Sequence, residues 1–105
     1  MTNLLHQWHQ RQRLRQILLQ IELFDTDYPV RHTLVLEAMA AAHQAGYLTG
    51  YRLDPQEPDW PVAFIQLPTG QVSWHMPAFP EAWDGHDSGA KFDRIRAFCK
   101  KEKPR

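Results

Sequence analysis

The residues best suited to chemistry are two histidines and two aspartates in the second half of the chain: His75, Asp84, His86 and Asp87. Imidazole and carboxylate groups bind Zn²⁺ and similar ions, and near neutral pH they also act as general acids and bases. The four would converge if the segment after His75 folds back. Their spacing matches no metal motif, however, and the structural alternative is that the aspartates form a turn and a helix cap. A metal-binding protein or metal-dependent hydrolase therefore stays as an alternative prediction.

Other nucleophiles lack a setting that would activate them. Cys99, the only cysteine, lies in an apolar helical stripe with no histidine paired to it in the sequence, which favours a buried, inert thiol. Ser73 and Ser88 lack the G-x-S-x-G context of a hydrolase serine. The glycines are explained by turns and caps rather than by a phosphate-binding loop. The sequence therefore predicts no catalytic residues and no cofactor, and it favours a protein that is not an enzyme.

A face of the first predicted helix is the most suggestive recognition feature. Leu4, Trp8, Arg11 and Arg15 share this face, away from the main apolar stripe. Trp and Arg dominate the hot spots of protein interfaces, which predicts a partner protein or a second copy of the chain. The alternative is that Trp8 packs against the last helix. The predicted partner-binding residues, on this face and on the later connector, are Leu4, Trp8, Arg11, Arg15, Trp83 and His86.

The charge pattern bears on nucleic acid as a partner. The net charge is zero; three arginines lie in the first fifteen residues and seven bases follow Ser88, whereas ten of the twelve acids lie between. The bases Arg11, Arg15, Arg94 and Lys100 would suit phosphates, but the acidic middle opposes a basic footprint. Nucleic-acid binding is therefore a third and disfavoured prediction. Basic ends with an acidic middle favour docking between proteins or copies.

The bulk composition bounds the class of protein. The chain has 105 residues, enough for one domain with its own core, and 43% of them are hydrophobic. A single cysteine excludes an internal disulfide, and no apolar run approaches the roughly 18 residues of a membrane span. The N-terminus lacks the pattern of a secretory signal. We expect a single domain, 1–105, in the cytoplasm, with no membrane partner.

Hydrophobic periodicity and turn residues predict the elements. Leu14, Ile17, Leu18 and Ile21 give a helical stripe. Asp27 caps a second, alanine-rich helix, and Gly46 ends it. The predicted helices cover 3–24, 29–45 and 88–101, and the predicted strands cover 47–53, 60–67 and 71–76, with a polar loop at 54–59 and a long connector at 77–87. This order predicts an α+β fold with two N-terminal helices, a three-stranded antiparallel meander and a C-terminal helix.

The clearest turn is Pro68-Thr69-Gly70. Proline favours the first turn position and glycine supplies a positive φ, which predicts a three-residue hairpin loop. That loop places Leu67 opposite Gln71. The predicted pairs that follow are Phe64 with Trp74 and Val62 with Met76 on the helix-covered face, and Ile65 with Ser73 and Ala63 with His75 on the other.

Two stretches, 60–77 and 83–98, resemble a group of small uncharacterised proteins encoded in bacteriophages and proteobacterial prophages. The most specific pieces are LPTGQVSWH (Leu67–His75) and WDGH (Trp83–His86), followed by a helix with Lys91 and Arg94. Similar sequences carry acidic or Thr-rich residues after WDGH. This chain has Asp87-Ser88-Gly89-Ala90 there, so a capping box is lost.

The resemblance implies a setting rather than a mechanism, because the group has no established activity. Phage accessory proteins of this size frequently bind a host protein, including components of host defence. The resemblance therefore implies a non-enzymatic phage or prophage accessory protein. Such a protein would bind a host protein in the host cytoplasm or self-associate as a homodimer.

Overall fold

A computed structural model describes residues 4–24, 27–76 and 90–101 of the chain. The helices are α1 (Leu4–Leu23), α2 (Tyr28–Gln44) and α3 (Ala90–Lys101), and the strands are β1 (Thr49–Asp54), β2 (Glu57–Leu67) and β3 (Gly70–His75). This order confirms the predicted α+β fold. The predicted connector 77–87 and the predicted helix start at Ser88 lie outside the described residues. None of the described helices is long and apolar enough to cross a membrane.

The two N-terminal helices pack side by side in opposite directions. His6 of α1 lies against Gln44 at the end of α2, with His6 Nε2 and Gln44 Oε1 3.2 Å apart. The short link between the helices requires this antiparallel arrangement. The buried stripe of α1 consists of the residues that the periodicity predicted, Leu14, Ile17, Leu18 and Ile21. These side chains form one core cluster with α2, the sheet and α3.

The ends of α2 follow the capping signals in the sequence. Asp27 is the N-cap and its carboxylate accepts a hydrogen bond from the Val30 N–H, as the sequence predicted. At the other end Gly46 has a φ of 90°, the left-handed conformation that glycine adopts without strain. The Gly46 N–H donates to His43 O and the Tyr47 N–H donates to Ala42 O, the Schellman pattern. The chain therefore turns directly from α2 into the sheet.

The sheet is antiparallel with the order β1-β2-β3, so β2 is central and the other strands are edges. The polar loop predicted at 54–59 is wrong. β2 begins at Glu57 and pairs back to Asp54, which leaves only Pro55 and Gln56 in the turn. The Asp54 carboxylate accepts the Gln56 N–H at 3.0 Å, so the aspartate closes the turn locally.

The predicted register of the β2–β3 hairpin is also wrong, by one residue. Leu67 pairs with Gly70 rather than with Gln71, so the loop has two residues instead of three. Gly70 does have a positive φ, of 133°, as the sequence predicted. The observed pairs are Val62 with His75, Ala63 with Trp74, Phe64 with Ser73, and Ile65 with Val72. Phe64 and Trp74 therefore lie on opposite faces of the sheet.

Burial explains why this register wins. A shift of one residue moves a whole set of side chains to the other face. In the observed register Ala63, Ile65, Val72 and Trp74 all face the helices, and all four are fully buried. The predicted register would have placed Ile65 on the other face, which we call the outer face, beside Ser73. The observed pairing thus removes more apolar surface from water.

Helix α3 also fixes the turn. The Thr69 hydroxyl donates to Arg94 O at 2.7 Å, and Arg94 Nη1 donates to Gln71 O at 2.8 Å. The Arg94 side chain lies so close to Gly70 that a Cβ there would be 2.9 Å from Arg94 Cδ. These contacts come from a distant part of the chain, so local turn propensities do not reveal them.

Candidate functional site

The first two turns of α1 expose large apolar side chains. Leu4 is 80% exposed, and Leu5 is exposed as well. Trp8, the largest of the three, is 42% exposed. The Trp8 indole makes an edge contact with the imidazole of its neighbour His9 at 5.1 Å between centroids. We call Leu4, Leu5 and Trp8 the N-terminal apolar surface. Leu4 and Trp8 are two of the residues that the sequence predicted to bind a partner.

Arg15 shares the helical face of Leu4 and Trp8 but has a different environment. Its side chain is buried, and its guanidinium carbon lies 4.6 Å from the centroid of the Phe98 ring in α3. This is a cation–π contact. Burial lowers the pKa of Arg15 from its ordinary value. Arg15 therefore stabilises the packing of α1 on α3, while Arg11, one turn earlier, is half-buried.

The same packing surrounds Cys99 and Tyr47. The Cys99 thiol lies 4.0 Å from Arg15 O, and the Tyr47 ring meets the Phe98 ring edge-on at 5.8 Å. Burial raises the pKa of the Cys99 thiol, and burial likewise raises the pKa of Tyr47. A half-buried thiol with a raised pKa holds its proton at neutral pH and is a poor nucleophile. The sequence predicted a buried, inert thiol; Cys99 is only partly buried, and its low reactivity stays a prediction.

A histidine–carboxylate pair lies on the outer face of the sheet. His75 Nε2 and Asp54 Oδ2 are 2.9 Å apart, and both side chains are partly buried. The hydrogen bond from His75 lowers the pKa of Asp54, and the bond from the Gln56 N–H lowers this pKa further. Asp54 is therefore a carboxylate at neutral pH that orients the His75 ring. Such a pair is able to hold a proton or to orient a ligand-binding imidazole.

The residues around this pair form a row across the sheet. Arg52, Val62 and His75 are paired side by side on the three strands. Val62 is buried on the outer face, between the longer polar side chains. Arg52 Nη2 reaches Ser73 Oγ at a long 3.5 Å. The outer face thus carries a cluster of basic, acidic and hydroxyl groups at the ends of β1 and β3.

A buried arginine of α2 also holds His75 in place, through the backbone of β3. Arg31 of α2 is fully buried, and its Nη2 donates to the backbone oxygen of His75 at 3.1 Å. A hydrogen bond from a charged donor is stronger than a neutral one, so this contact fixes the end of β3 against α2. The position of the His75 ring is therefore determined by Asp54 through the side chain and by Arg31 through the backbone.

A family model described as the WDGH domain matches residues 6–98, which include every described strand and most of the described helices. The chain belongs to the WDGH domain family. The tetrapeptide of that name stands at Trp83–His86. A search of curated proteins and a search of solved structures returned no match.

Four of the nine residues predicted to bind a partner or a metal lie outside the described residues. Trp83, Asp84, His86 and Asp87 all fall in 77–89, so their distance from His75 stays a prediction. Within 4–24, 27–76 and 90–101, no group of three or more His, Cys, Asp or Glu side chains is placed to hold a metal ion. The metal alternative thus depends on the four predicted residues together.

The four bases of the nucleic-acid alternative are not equally available. Arg15 is buried over Phe98, and Arg94 donates to the hairpin backbone at Gln71. Arg11 is half-buried and Lys100 is exposed. Two of the four thus have structural roles within this WDGH domain. The nucleic-acid alternative that was predicted from these four bases is correspondingly weaker.

Sequence reasoning missed Asp54 and Arg31. Asp54 was assigned to a loop, yet β1 and β3 run parallel to each other in a meander, so the ends of both strands lie at one end of the sheet. That topology brings Asp54 to His75. Arg31 lies at helical spacing with the buried Leu34, Val35 and Ala38 of α2. A basic residue within an apolar stripe was the signal for a buried polar contact.

Proposed function

We propose that this WDGH-domain protein is a non-enzymatic binding module whose N-terminal apolar surface docks a partner protein. The observation that carries the proposal is the exposure of Leu4 and Trp8 on consecutive turns of α1. Removing such side chains from water on binding is favourable by about 25 cal/mol per Å². Tryptophan is among the residues that contribute most at interfaces. Because the sequence resembles phage and prophage proteins, we propose that the chain is an accessory protein of that kind and that its partner is a host protein.

The surroundings of Trp8 suit an interface anchor. His9 is exposed beside Trp8, and Gln12, one turn further along α1, is half-buried, so polar residues border the apolar surface. A protein hot spot typically has an apolar centre and a polar rim. The C-terminal half of α1 is anchored in the core by Leu14 and Leu18, which are fully buried. The exposed turns are therefore presented on a rigid support, which reduces the entropy lost on binding.

A matched pair of variants tests the proposal. Trp8 and Leu19 lie on the same helix and are both 42% exposed. Trp8→Ala and Leu19→Ala therefore remove apolar groups of equal fractional exposure, one inside the N-terminal apolar surface and one outside it. A protein captured from bacterial lysate by the wild type is purified, and its affinity for each variant is measured by calorimetry. We expect Trp8→Ala to weaken binding about tenfold or more and Leu19→Ala to have little effect. Equal affinities for the two variants would contradict the proposal.

A second candidate function is metal binding at His75. The observation that favours it is the Asp54 carboxylate on His75 Nε2, because metal-binding histidines are commonly oriented by a carboxylate in this way. The other ligands are the sequence-predicted Asp84, His86 and Asp87. Zinc titration by calorimetry tests this candidate. We expect stoichiometric binding that Asp54→Asn weakens about 10- to 100-fold; binding that His75→Ala leaves unchanged would dismiss it.

A further inference from the structure

We infer that β1 pairs with β1 of a second copy, antiparallel about a two-fold axis at Tyr51, so that two sheets join into one. This contact is separate from the partner docking proposed for α1. It follows from the hydrogen-bonding groups that β1 presents at the edge of the sheet, from its exposed side chains, and from the registers that its sequence permits.

The outward groups of β1 belong to Thr49, Tyr51 and Leu53. The Gln66 N–H donates to Leu48 O, so the even-numbered residues of β1 bond to β2. In an antiparallel ladder the alternate residues then direct both N–H and C=O away from the partner strand. Among the described residues, no hydrogen bond from outside the sheet reaches the main chain of these three. β1 therefore offers a complete edge to another strand.

The opposite edge of the sheet, formed by β3, is bonded to side chains from the helices. On β3 the outward carbonyls of Gln71 and His75 accept hydrogen bonds from Arg94 and Arg31 respectively. Guanidinium groups from α2 and α3 thus block that edge. Within 4–24, 27–76 and 90–101, β1 is therefore the edge of the sheet that is left open to pairing.

Two side chains of the open edge are large, apolar and exposed. Tyr51 is 57% exposed and Leu53 is 72% exposed. Tyr51 pairs with Ala63, and Leu53 follows two residues later, so Tyr51 and Leu53 lie on the face that the helices cover. Both side chains nevertheless stay exposed. Edge strands that stay unpaired usually carry several charged side chains, proline or a bulge along their length. Between Thr49 and Leu53 the one charged residue is Arg52. Here the register shift comes only at Leu53/Asp54, at the end of the strand.

A second copy fits this edge because the strand complements itself. With Tyr51 at the axis, Tyr51 pairs with its own counterpart, Thr49 pairs with Leu53 of the second copy, and Arg52 lies opposite Gly50. Glycine leaves room for the guanidinium, and no like charges meet. The Tyr51 and Leu53 side chains of both copies then fill the space between the two helix layers. Because the net charge is zero, two identical chains are not repelled by their overall charge.

The other symmetric registers are excluded by named residues. An axis at Arg52 sets two guanidinium groups opposite each other, which is destabilising. An axis at Leu53 sets Tyr51 opposite Pro55, which has no N–H to donate. An axis at Gly50 or at Thr49 would extend the pairing to Tyr47, whose N–H is already bonded to Ala42 O. The Tyr51 register alone uses 49–53 throughout.

Sedimentation of the whole chain over a range of concentrations tests the pairing. We expect a reversible dimer, and we expect Tyr51→Pro to raise its dissociation constant about tenfold or more, because the Tyr51 pair exchanges hydrogen bonds in both directions. The Tyr51 N–H points away from β2, so the substitution leaves the protomer's own ladder intact. Circular dichroism checks that the variant is folded. A monomer at all concentrations, or a dimer that Tyr51→Pro leaves unchanged, would overturn the inference.

Disulfide trapping tests the register separately. In a Cys99→Ala background, Tyr51→Cys is expected to form a covalent dimer on mild oxidation, because paired Cα atoms in the ladder are about 5.5 Å apart. Leu48→Cys is the matched control. Leu48 is 69% exposed, but its counterpart would be about 20 Å away at the strand rise. Cross-linking of both variants alike, or of neither, would overturn the Tyr51 axis.

Discussion

His75 and Asp54 come from the two edge strands of the sheet, yet His75 Nε2 and Asp54 Oδ2 lie 2.9 Å apart across the outer face. The contact passes over β2, where Val62 is buried between the edge strands' side chains. It also lies beside the register shift at Leu53/Asp54. The pair therefore fastens an irregular strand end to the end of β3.

Replacing Asp54 by Asn is expected to destabilise the fold near pH 7 and to matter less in acid. The folded-state pKa of Asp54 lies below its ordinary value of 3.8, mainly because of the bond from His75. The carboxylate therefore stabilises the fold above that value, and this contribution is lost as the pH falls through the folded-state pKa. Urea unfolding of wild type and variant at a series of pH values measures it. In a His75→Ala background the effect of Asp54→Asn should shrink; an unchanged effect would contradict the coupling.

Gly70→Ala is expected to lower the free energy of unfolding by about 1–3 kcal/mol. The φ of 133° at Gly70 is strained for an L-residue, and the new methyl group would lie 2.9 Å from Arg94 Cδ. Gly50→Ala is the control, because its φ is not positive and its added Cβ would make an ordinary contact of 3.7 Å with the Phe64 ring. Chemical denaturation compares the two variants. Equal losses would argue against the strain at Gly70.

Trp74→Ala is expected to lower the free energy of unfolding by about 3–5 kcal/mol, because the indole is fully buried under the helices. Phe64→Ala should have a smaller effect, since Phe64 is only half-buried and lies on the outer face. Thermal and urea unfolding of the two variants provide the measurement. A larger loss for Phe64 would mean that the observed hairpin register is incorrect.

The Cys99 thiol is expected to react slowly with alkylating reagents. Burial raises its pKa above the ordinary value of 9.0, so the reactive thiolate is scarcer than in a free cysteine at the same pH. The rate of alkylation as a function of pH gives the midpoint. We expect a midpoint above 9.0 in the native protein and near 9.0 in urea. Identical midpoints in the two conditions would show that the fold does not perturb the thiol.

Elements that depend on local signals were predicted well from the sequence. The capping carboxylate of Asp27, the left-handed Gly46 and the apolar stripe of α1 each act within a few residues of the chain. The order of helices and strands follows from them. The same signals identified Trp74 as a core residue, although with the wrong cross-strand partner.

What the sequence did not reveal depends on contacts between distant segments. The hairpin register is set by burial of a whole face and by Arg94 from α3, 23 residues beyond Gln71. Asp54 reaches His75 only because the meander aligns the ends of β1 and β3. Likewise, Arg11 and Arg15 look equivalent on a helical wheel. Only the position of Phe98 distinguishes the buried guanidinium from the half-buried one.

The two guanidinium contacts at the β3 edge end on backbone oxygens, at Gln71 and at His75. A backbone oxygen is present whatever side chain a position carries. Substitutions at 71 and 75 can therefore alter the chemistry of the outer face while the bonds to α2 and α3 persist. This arrangement separates the anchoring of the helices from the identity of the surface, and it leaves those two positions open to acquire new specificity.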